Sequence, residues 1–210
     1  MSSAIYVLAG VNGAGKSSIG GAVLREFNGD WYNPDEFAHA LLTGNKSLSQ
    51  VEANSIAWAN GVTLLERAID RRLDFAMETT LGGSTIPRLL GNAAKAGIAI
   101  RIWYVGLTSA EQHIARVRAR VAKGGHDIPQ TDIRRRFEHS RINLIDLLPS
   151  LAALRVYDNS IEADPDADLV PTPKLVLRVD QQRIVAPKDL RRSPEWAKPI
   201  VAAALRLSPP

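Results

Sequence analysis

The string Gly10-Val11-Asn12-Gly13-Ala14-Gly15-Lys16-Ser17 has the residue types and spacing of a loop that wraps phosphate groups. Its glycines let successive backbone N–H groups turn toward anionic oxygens, Lys16 reaches the outer phosphates of a nucleoside triphosphate, and the Ser17 hydroxyl is placed to meet Mg2+. Gly10, Asn12, Gly13, Ala14, Gly15, Lys16, Ser17 and Ser18 therefore form the expected nucleotide-binding set, with Ser17 as the metal contact. An apolar run over 5–9 precedes the string, and a helical pattern with Ile19, Val23, Leu24 and Phe27 follows it. Such a strand–loop–helix context puts the anion at a helix N-terminus, where it is already favoured. A plain glycine-rich turn needs none of these flanks.

What attacks the terminal phosphate depends on the other acids. The segment Phe75-Ala76-Met77-Glu78 lacks the apolar run ending in Asp that marks a motor or switch, which leaves a substrate hydroxyl as the expected nucleophile. Asp35, just after the second extended piece at Trp31-Tyr32, is the expected base for that hydroxyl's proton, with Glu36 a weaker competitor. Glu78 at a strand end is expected to hold a substrate hydroxyl or a metal-bound water, and Thr79 and Thr80 to contact substrate. Arg116 and Arg120, four apart, share a helix face, and Arg134, Arg135 and Arg136 open the helix beyond Gly124-Gly125. Guanidinium groups match phosphate oxygens, so Arg120 with Arg134 or Arg135 is expected to stabilise transferred charge, and Arg116 to contact the nucleotide. Arg118 and Arg136 read as a solvated basic face. His126 and Asp127 read as residues that order the loop between these helices, and His39, His113 and His139 are too scattered for zinc. Asn159, following the fifth strand, is positioned to read adenine, or else belongs to a turn with Asp158 and Ser160. The four tryptophans offer no stacking platform and read as packing residues.

The elements that position these groups alternate. Helices are expected from Asn33-Pro34, over 51–73 with a bend at Gly61, over 84–95, over 110–121 and over 132–148; strands over 74–78, 98–105 and 154–157; and a hairpin around Gln181-Gln182, although that dipeptide is a poor tight turn. A short helix after Ser193-Pro194 ends the chain. The order predicts an α/β fold of the P-loop NTPase kind, a three-layer sandwich with a mostly parallel sheet and a helical lid, about 110–148, that bears the arginines. One P-loop domain over 1–186 is expected, with the tail 187–210 packed on it.

Composition narrows the class. The 210 residues are 45% hydrophobic, enough for one substantial core, and contain no cysteine, which removes disulfides and thiolate metal sites. No leader and no membrane-length apolar stretch is legible, so a cytoplasmic protein is expected. The net charge of +4 and a pI near 9.6 invite nucleic acid as a partner, but the excess arginine is local, between Arg116 and Arg141, so nucleic acid is not the expected ligand.

Together, the phosphate loop, Asn33-Pro34-Asp35-Glu36-Phe37, Glu78-Thr79-Thr80-Leu81-Gly82, Arg120 with Gly124-Gly125-His126-Asp127-Ile128-Pro129, and Asp158-Asn159-Ser160 resemble the zeta-toxin-like P-loop kinases over residues 5–160. Zeta toxins use ATP and Mg2+ to phosphorylate a hydroxyl of UDP-N-acetylglucosamine. The resemblance implies ATP and Mg2+ as cofactors, a small-molecule hydroxyl on a nucleotide sugar as acceptor, Asp35 as base, Glu78 as substrate or metal contact, and Asn159 as an adenine neighbour. It also brings in an antitoxin protein as partner, for which no residue here argues. Basic residues expected soon after Glu-Thr-Thr-Leu arrive only at Arg88. The alternative reading is a nucleotide-binding module or weak ATPase acting through a protein partner.

Overall fold

The computed structural model describes residues 3–20, 27, 31–161 and 172–208. The expected Val23 and Leu24 of the first helix and the turn at Asn28-Gly29-Asp30 lie outside the described residues. A six-stranded sheet runs in the order β2-β1-β3-β4-β5-β6. Strands β1 (Ala4–Ala9), β2 (Phe75–Thr79), β3 (Ala99–Gly106) and β4 (Ala153–Asp158) are parallel, and β5 (Lys174–Asp180) and β6 (Arg183–Ala186) add antiparallel. The four parallel carboxyl ends therefore open on one edge, where Gly10, Thr80, Leu107 and Asn159 begin the loops.

Helices cover the sheet because its strands are apolar on both sides. On one face, Ile5, Val7, Ile100, Ile102, Leu154 and Val156 join residues of α3 (Gln50–Arg71), α4 (Thr85–Lys95), α6 (Gln130–Leu147) and α7 (Lys198–Leu207) in the largest apolar cluster. On the other, Leu8, Trp103 and Val105 pack with Ala14 and Ile19 from the phosphate loop and from α1, whose described part is 17–20. Strand periodicity of two thus divides one core into two layers of unequal size.

Several local details differ from the sequence expectation, each for a visible reason. The second extended piece contributes a single bridge, Tyr32 to Met77, with Tyr32 N–H donating to Ala76 O and accepting at its own carbonyl from Glu78 N–H. Gly61 does not bend α3, which is continuous from Gln50 to Arg71. Its missing side chain makes room for the Tyr32 ring, since a Cβ there would lie 2.7 Å from Tyr32 Cε1, and the Tyr32 hydroxyl donates to Ala57 O. Gln181 and Gln182 do form the tight β5–β6 turn, both at positive φ, 48° and 63°, the backbone that a two-residue turn between twisted strands demands.

Among the described residues no helix is long and apolar enough to cross a membrane. The C-terminal helix α7 sits in the main core: Ile200, Val201, Ala203 and Ala204 are buried, and Trp196 just before it lies 3% exposed. The Trp196 ring occupies the space above Gly106, where a Cβ would come within 2.3 Å of Cη2, and its Nε1–H donates to Asp158 Oδ1. Trp196→Ala is expected to cost about 3–5 kcal/mol of unfolding free energy, read as a lower urea midpoint at unchanged m-value. A loss under about 1 kcal/mol would show instead that the tail only drapes over the sheet.

Candidate functional site

The phosphate loop has the conformation that its glycines were expected to allow. Gly13 and Gly15 take φ of 81° and 78°, and a Cβ at Gly15 would fall 2.4 Å from Asn159 Nδ2. Both backbone geometry and crowding exclude a side chain there. Turning N–H groups inward leaves the loop carbonyls facing the protein, and they are taken up one by one. Lys16 Nζ donates to Gly10 O at 2.9 Å, the Ala14 N–H to Val11 O at 3.0 Å, and Asn159 Nδ2 to Ala14 O at 2.9 Å. His113, 1% exposed, bonds through Nδ1 to Asn12 O at 2.9 Å. Ser17 and Ser18 stand exposed at the start of α1, where their hydroxyls are accessible to a metal and to phosphate.

His113 was discounted as one of several scattered histidines, and its role here has no motif to announce it. Burial is the largest influence on its ring and pushes its pKa down to about 4, against which the bond to Asn12 works; the nearby cations Lys16, Arg116 and Arg141 push it further down. A neutral imidazole with Nδ1–H donating to Asn12 O results. Asn159 likewise has its amide committed to the loop, while its carbonyl accepts from Arg116 Nη2 at 2.8 Å. Arg116 also reaches Ile161 O, so it ties the end of β4 to α5 (Ala110–Val121). The expected nucleotide contacts Asn159 and Arg116 thus fasten the loop from behind.

Beside the loop lies a cavity of about 420 Å3 that Asn12 itself helps to line. Asp35, Glu78, Thr79 and Thr80, all expected at the site, border it. Asp35 is exposed in the first turn of α2 (Pro34–Gly44), which Asn33 caps by accepting from Asp35 N–H and Glu36 N–H. Glu78 pairs with Lys16 at 3.3 Å, both side chains nearly buried. The hydroxyls of Thr79 and Thr80 accept from Leu81 N–H and Gly82 N–H, so they also shape the turn that follows β2. Leu81 is at a φ of 56° there, an uncommon state for a non-glycine residue.

That turn is bolted to α6. Ser140 Oγ donates to Thr80 O at 2.7 Å, and Asn143 Nδ2 donates to Leu81 O and Gly83 O at 2.7 and 2.9 Å. The C-terminal part of α6 belongs to the core through Leu144 and Leu147, so it is no freely swinging jaw. Three consecutive helical residues point about 100° apart, and the arginine that enters the cavity is Arg136, not Arg134 or Arg135. Arg136 Nη1 donates to Asn12 Oδ1 at 2.7 Å, and its stem lies on Gly82, where a Cβ would be 2.7 Å from Arg136 Cγ. Arg134 and Arg135 are outside the lining, more than half exposed, and paired with Glu111 and Asp132. The buried stripe Ile133, Ser140, Leu144, Leu147 carries the signal that sequence reasoning passed over, because residue 136 lies on the same side as 133 and 140.

Arg120 also lies away from the cavity. Its guanidinium donates from Nη2 to His126 O, and has its Nε buried without a partner. It holds the Gly124–Pro129 loop, whose Gly125 leaves room for its side chain. His126 and Asp127 border the cavity, and Asp127 Oδ1 accepts from Ile128 N–H, which orders the loop. The lining also takes in a face of α3 that includes Val51, Asn54 and Trp58; Trp58 is 55% exposed and is not the packing residue expected of it. No group of three or more His, Asp or Glu residues that could hold a metal occurs among the described residues; the Ser17 and Ser18 hydroxyls and the Glu78 carboxylate are oxygen donors at the loop.

The sequence profile of the Zeta toxin family matches residues 2–163. An uncharacterized protein of Haemophilus influenzae is 32% identical over 132 residues, which cover 61% of this chain and 88% of that protein. The crystal structure of AvrRxo1-ORF1:-ORF2 with ATP contains a chain that superposes with a TM-score of 0.67 at 17% identity, over 96% of this chain and 63% of the other. The PezAT chromosomal toxin–antitoxin system of Streptococcus pneumoniae gives 0.53 at 17% identity, over 76% and 70%. The chain spans less than two thirds of the AvrRxo1 chain's length, and at these identities the structural likeness speaks for the fold.

The buried contact of His113 with Asn12 O makes the stability of the fold depend on pH. Its pKa near 4 in the fold lies below the ordinary value of 6.5, so the unfolded chain takes up the proton first as pH falls. Stabilisation by the neutral ring is complete above about pH 6.5 and is lost as pH drops through the window toward 4, about 2 kcal/mol of it between pH 7 and 5. Urea melts at pH 7 and pH 5 should show this slope in the wild type and a smaller one in His113→Gln. Equal slopes would mean the ring titrates normally.

Proposed function

The chain belongs to the zeta toxin family, and on that premise we propose that it is an ATP- and Mg2+-dependent phosphotransferase acting on a hydroxyl of a small molecule. The observation that carries this reading is the joining of two compartments at Asn12: the phosphate loop on one side, and on the other a 420 Å3 cavity bordered by Asp35, Glu78 and Arg136. A nucleotide switch or motor has no use for a second, acceptor-sized space lined by a carboxylate at a helix mouth and a guanidinium.

In the proposed reaction an acceptor hydroxyl oxygen attacks the terminal phosphorus of ATP. The bond from that phosphorus to the bridging oxygen breaks, ADP departs with the electron pair, and the hydroxyl proton passes to the Asp35 carboxylate and then to water. Lys16, which divides its donors between Gly10 O and Glu78, is the cation for the outer phosphates. Ser17 and Glu78 are the residues suited to Mg2+, which when bound neutralises charge on the phosphates. Arg136, resting on the loop residue Asn12 at the junction of the two compartments, is the proposed stabiliser of charge on the transferred group. Arg120 contributes by holding the loop that closes the cavity.

For the acceptor, family membership supports a UDP-amino sugar as the first compound to try. A toxin–antitoxin system and a two-protein complex among the structural neighbours support a protein antitoxin as partner. Lys16→Ala is expected to abolish transfer from labelled ATP. Asp35→Asn should lower kcat by about 10²–10⁴ with ATP binding retained. Arg136→Ala should lower kcat by about 10³, while Arg134→Ala and Arg135→Ala stay close to wild type. Tight ATP binding with no acceptor-dependent ADP release would favour the nucleotide-binding module instead, and an Arg134→Ala or Arg135→Ala variant as defective as Arg136→Ala would overturn the assignment on α6.

A further inference from the structure

The part of the cavity wall that α3 supplies is longer than one sugar ring fills. Its lining residues run from Gln50 to Val62, a helical rise of about 18 Å. The groups assigned to the chemistry gather at the Val62 end. Tyr32, three residues before Asp35, donates from its hydroxyl to Ala57 O and lays its ring on Gly61, while its carbonyl receives the N–H of Glu78. From there the wall continues toward the start of α3, and Asn54 and Gln50 lie about 10 and 16 Å along the helix axis from Gly61. Whatever covers these residues is a part of the ligand that does not react.

Gln50, Asn54 and Trp58 are spaced four apart, so they form one stripe on this face. The Trp58 indole stands in solvent on the cavity wall, which core packing does not explain, because Trp ordinarily buries most of its large surface. Beside it, Gln50 Nε2 donates to Asn54 Oδ1 at 2.9 Å, which joins two amides. Whichever way round such a pair is oriented, one NH2 and one carbonyl oxygen are spent on each other, and the other oxygen and the other NH2 are left for a ligand. A flat aromatic face with a donor and an acceptor next to it matches a heterocyclic base, which has a π face to stack and donors and acceptors on its rim.

Resting on the kinase reading above, we propose that Gln50, Asn54 and Trp58 form a base-recognition subsite of the acceptor cavity. The planar base of a nucleotide-linked acceptor stacks on the Trp58 indole, and its rim is read by the Gln50–Asn54 amide pair, while the sugar hydroxyl lies at Asp35. Trp58 is then the residue that sets affinity for the base, tolerant of which base it is, and the amide pair is the residue set that discriminates among bases.

The test uses the full chain with MgATP and matched acceptors that share a sugar but differ in the base: UDP-N-acetylglucosamine beside N-acetylglucosamine 1-phosphate, and ADP-glucose beside glucose 1-phosphate. ADP release and product mass are followed. At least one nucleotide-linked sugar should be phosphorylated with kcat/KM tenfold or more above its base-free partner, the difference lying in KM. Trp58→Ala should raise the KM for that nucleotide-linked sugar about tenfold, with kcat and the KM for ATP little changed, so that its advantage over the base-free partner collapses. Trp58→Phe should restore most of the loss, and Asn54→Asp, which removes the NH2, should shift the preference between the uracil and adenine compounds. A base-free sugar phosphate that serves as well as its nucleotide-linked partner overturns this proposal and leaves the kinase reading standing. So does a Trp58→Ala variant whose acceptor KM is unchanged, or one that weakens both members of a pair equally. ADP release that no acceptor raises above the rate in its absence overturns the kinase reading together with it.

Discussion

A loop that aims its N–H groups at an anion must aim its carbonyls at the protein, and the rest of this site follows from how those carbonyls are satisfied. Gly10 O, Asn12 O and Ala14 O are received by Lys16, His113 and Asn159, side chains from the loop itself, α5 and the end of β4. A buried carbonyl left without a donor costs on the order of 1–3 kcal/mol, so each of these contacts holds the loop open as well as holding it in place. The loop is thereby prepared for phosphate before any phosphate arrives, and little reorganisation is left for the moment of binding.

This bracing has consequences elsewhere. For His113 to donate at the bottom of the loop it must be neutral, and burial among cations keeps it so. For Asn159 to reach Ala14, residue 15 can carry no side chain. For β4 to present Asn159 at that height, the strand must be held in register, and its end is pinned by Arg116 from one side and by Trp196 through Asp158 from the other. The C-terminal helix, far from the chemistry in sequence, is in this way part of the support of the loop. The same logic applies at the acceptor side, where Ser140 and Asn143 of α6 satisfy the carbonyls of the turn after β2.

What the sequence made legible divides along the line between local and tertiary causes. The phosphate loop, the Asn33-Pro34 helix start and the capped helices α3 and α5 are local devices, and they stand where residue types alone predict them. The position of Asp35, Glu78, Thr79 and Thr80 was also legible, because the ends of β1 and β2 and the start of α2 open on the same edge of the sheet and line the same space. Choosing among Arg134, Arg135 and Arg136 needed the rotation of α6 about its axis. That rotation is set by Ile133, Leu144 and Leu147 in the core and by Ser140 under Thr80, and it turns Arg136, rather than Arg134 or Arg135, toward the cavity. His113 and Trp58 were passed over for opposite reasons. One is a lone polar residue that burial turns into a brace, and the other an apolar residue that packing leaves uncovered. Gln181-Gln182 shows a strand pairing imposing left-handed backbone on residues that would not choose it.

The two compartments meet at Asn12, and this constrains how the site can work. Asn12 gives its carbonyl to His113 and its side-chain oxygen to Arg136, so a residue of the phosphate loop connects α5 with α6. Arg136 in turn rests on Gly82, in the turn that Ser140 and Asn143 fasten from the same helix. A shift of α6 that changed the width of the acceptor cavity would therefore pull on Asn12 and disturb the carbonyl pairing of the donor loop. The acceptor wall that can yield without that penalty is the one on α3, whose cavity face carries Val51 and Trp58 in solvent and which packs on α2 through Ala53 and Ala57 and receives a hydrogen bond from Tyr32. Variation in acceptor among proteins with this loop is then most cheaply achieved on α3 and in the Gly124–Pro129 segment, while α6 and the donor loop stay locked to each other.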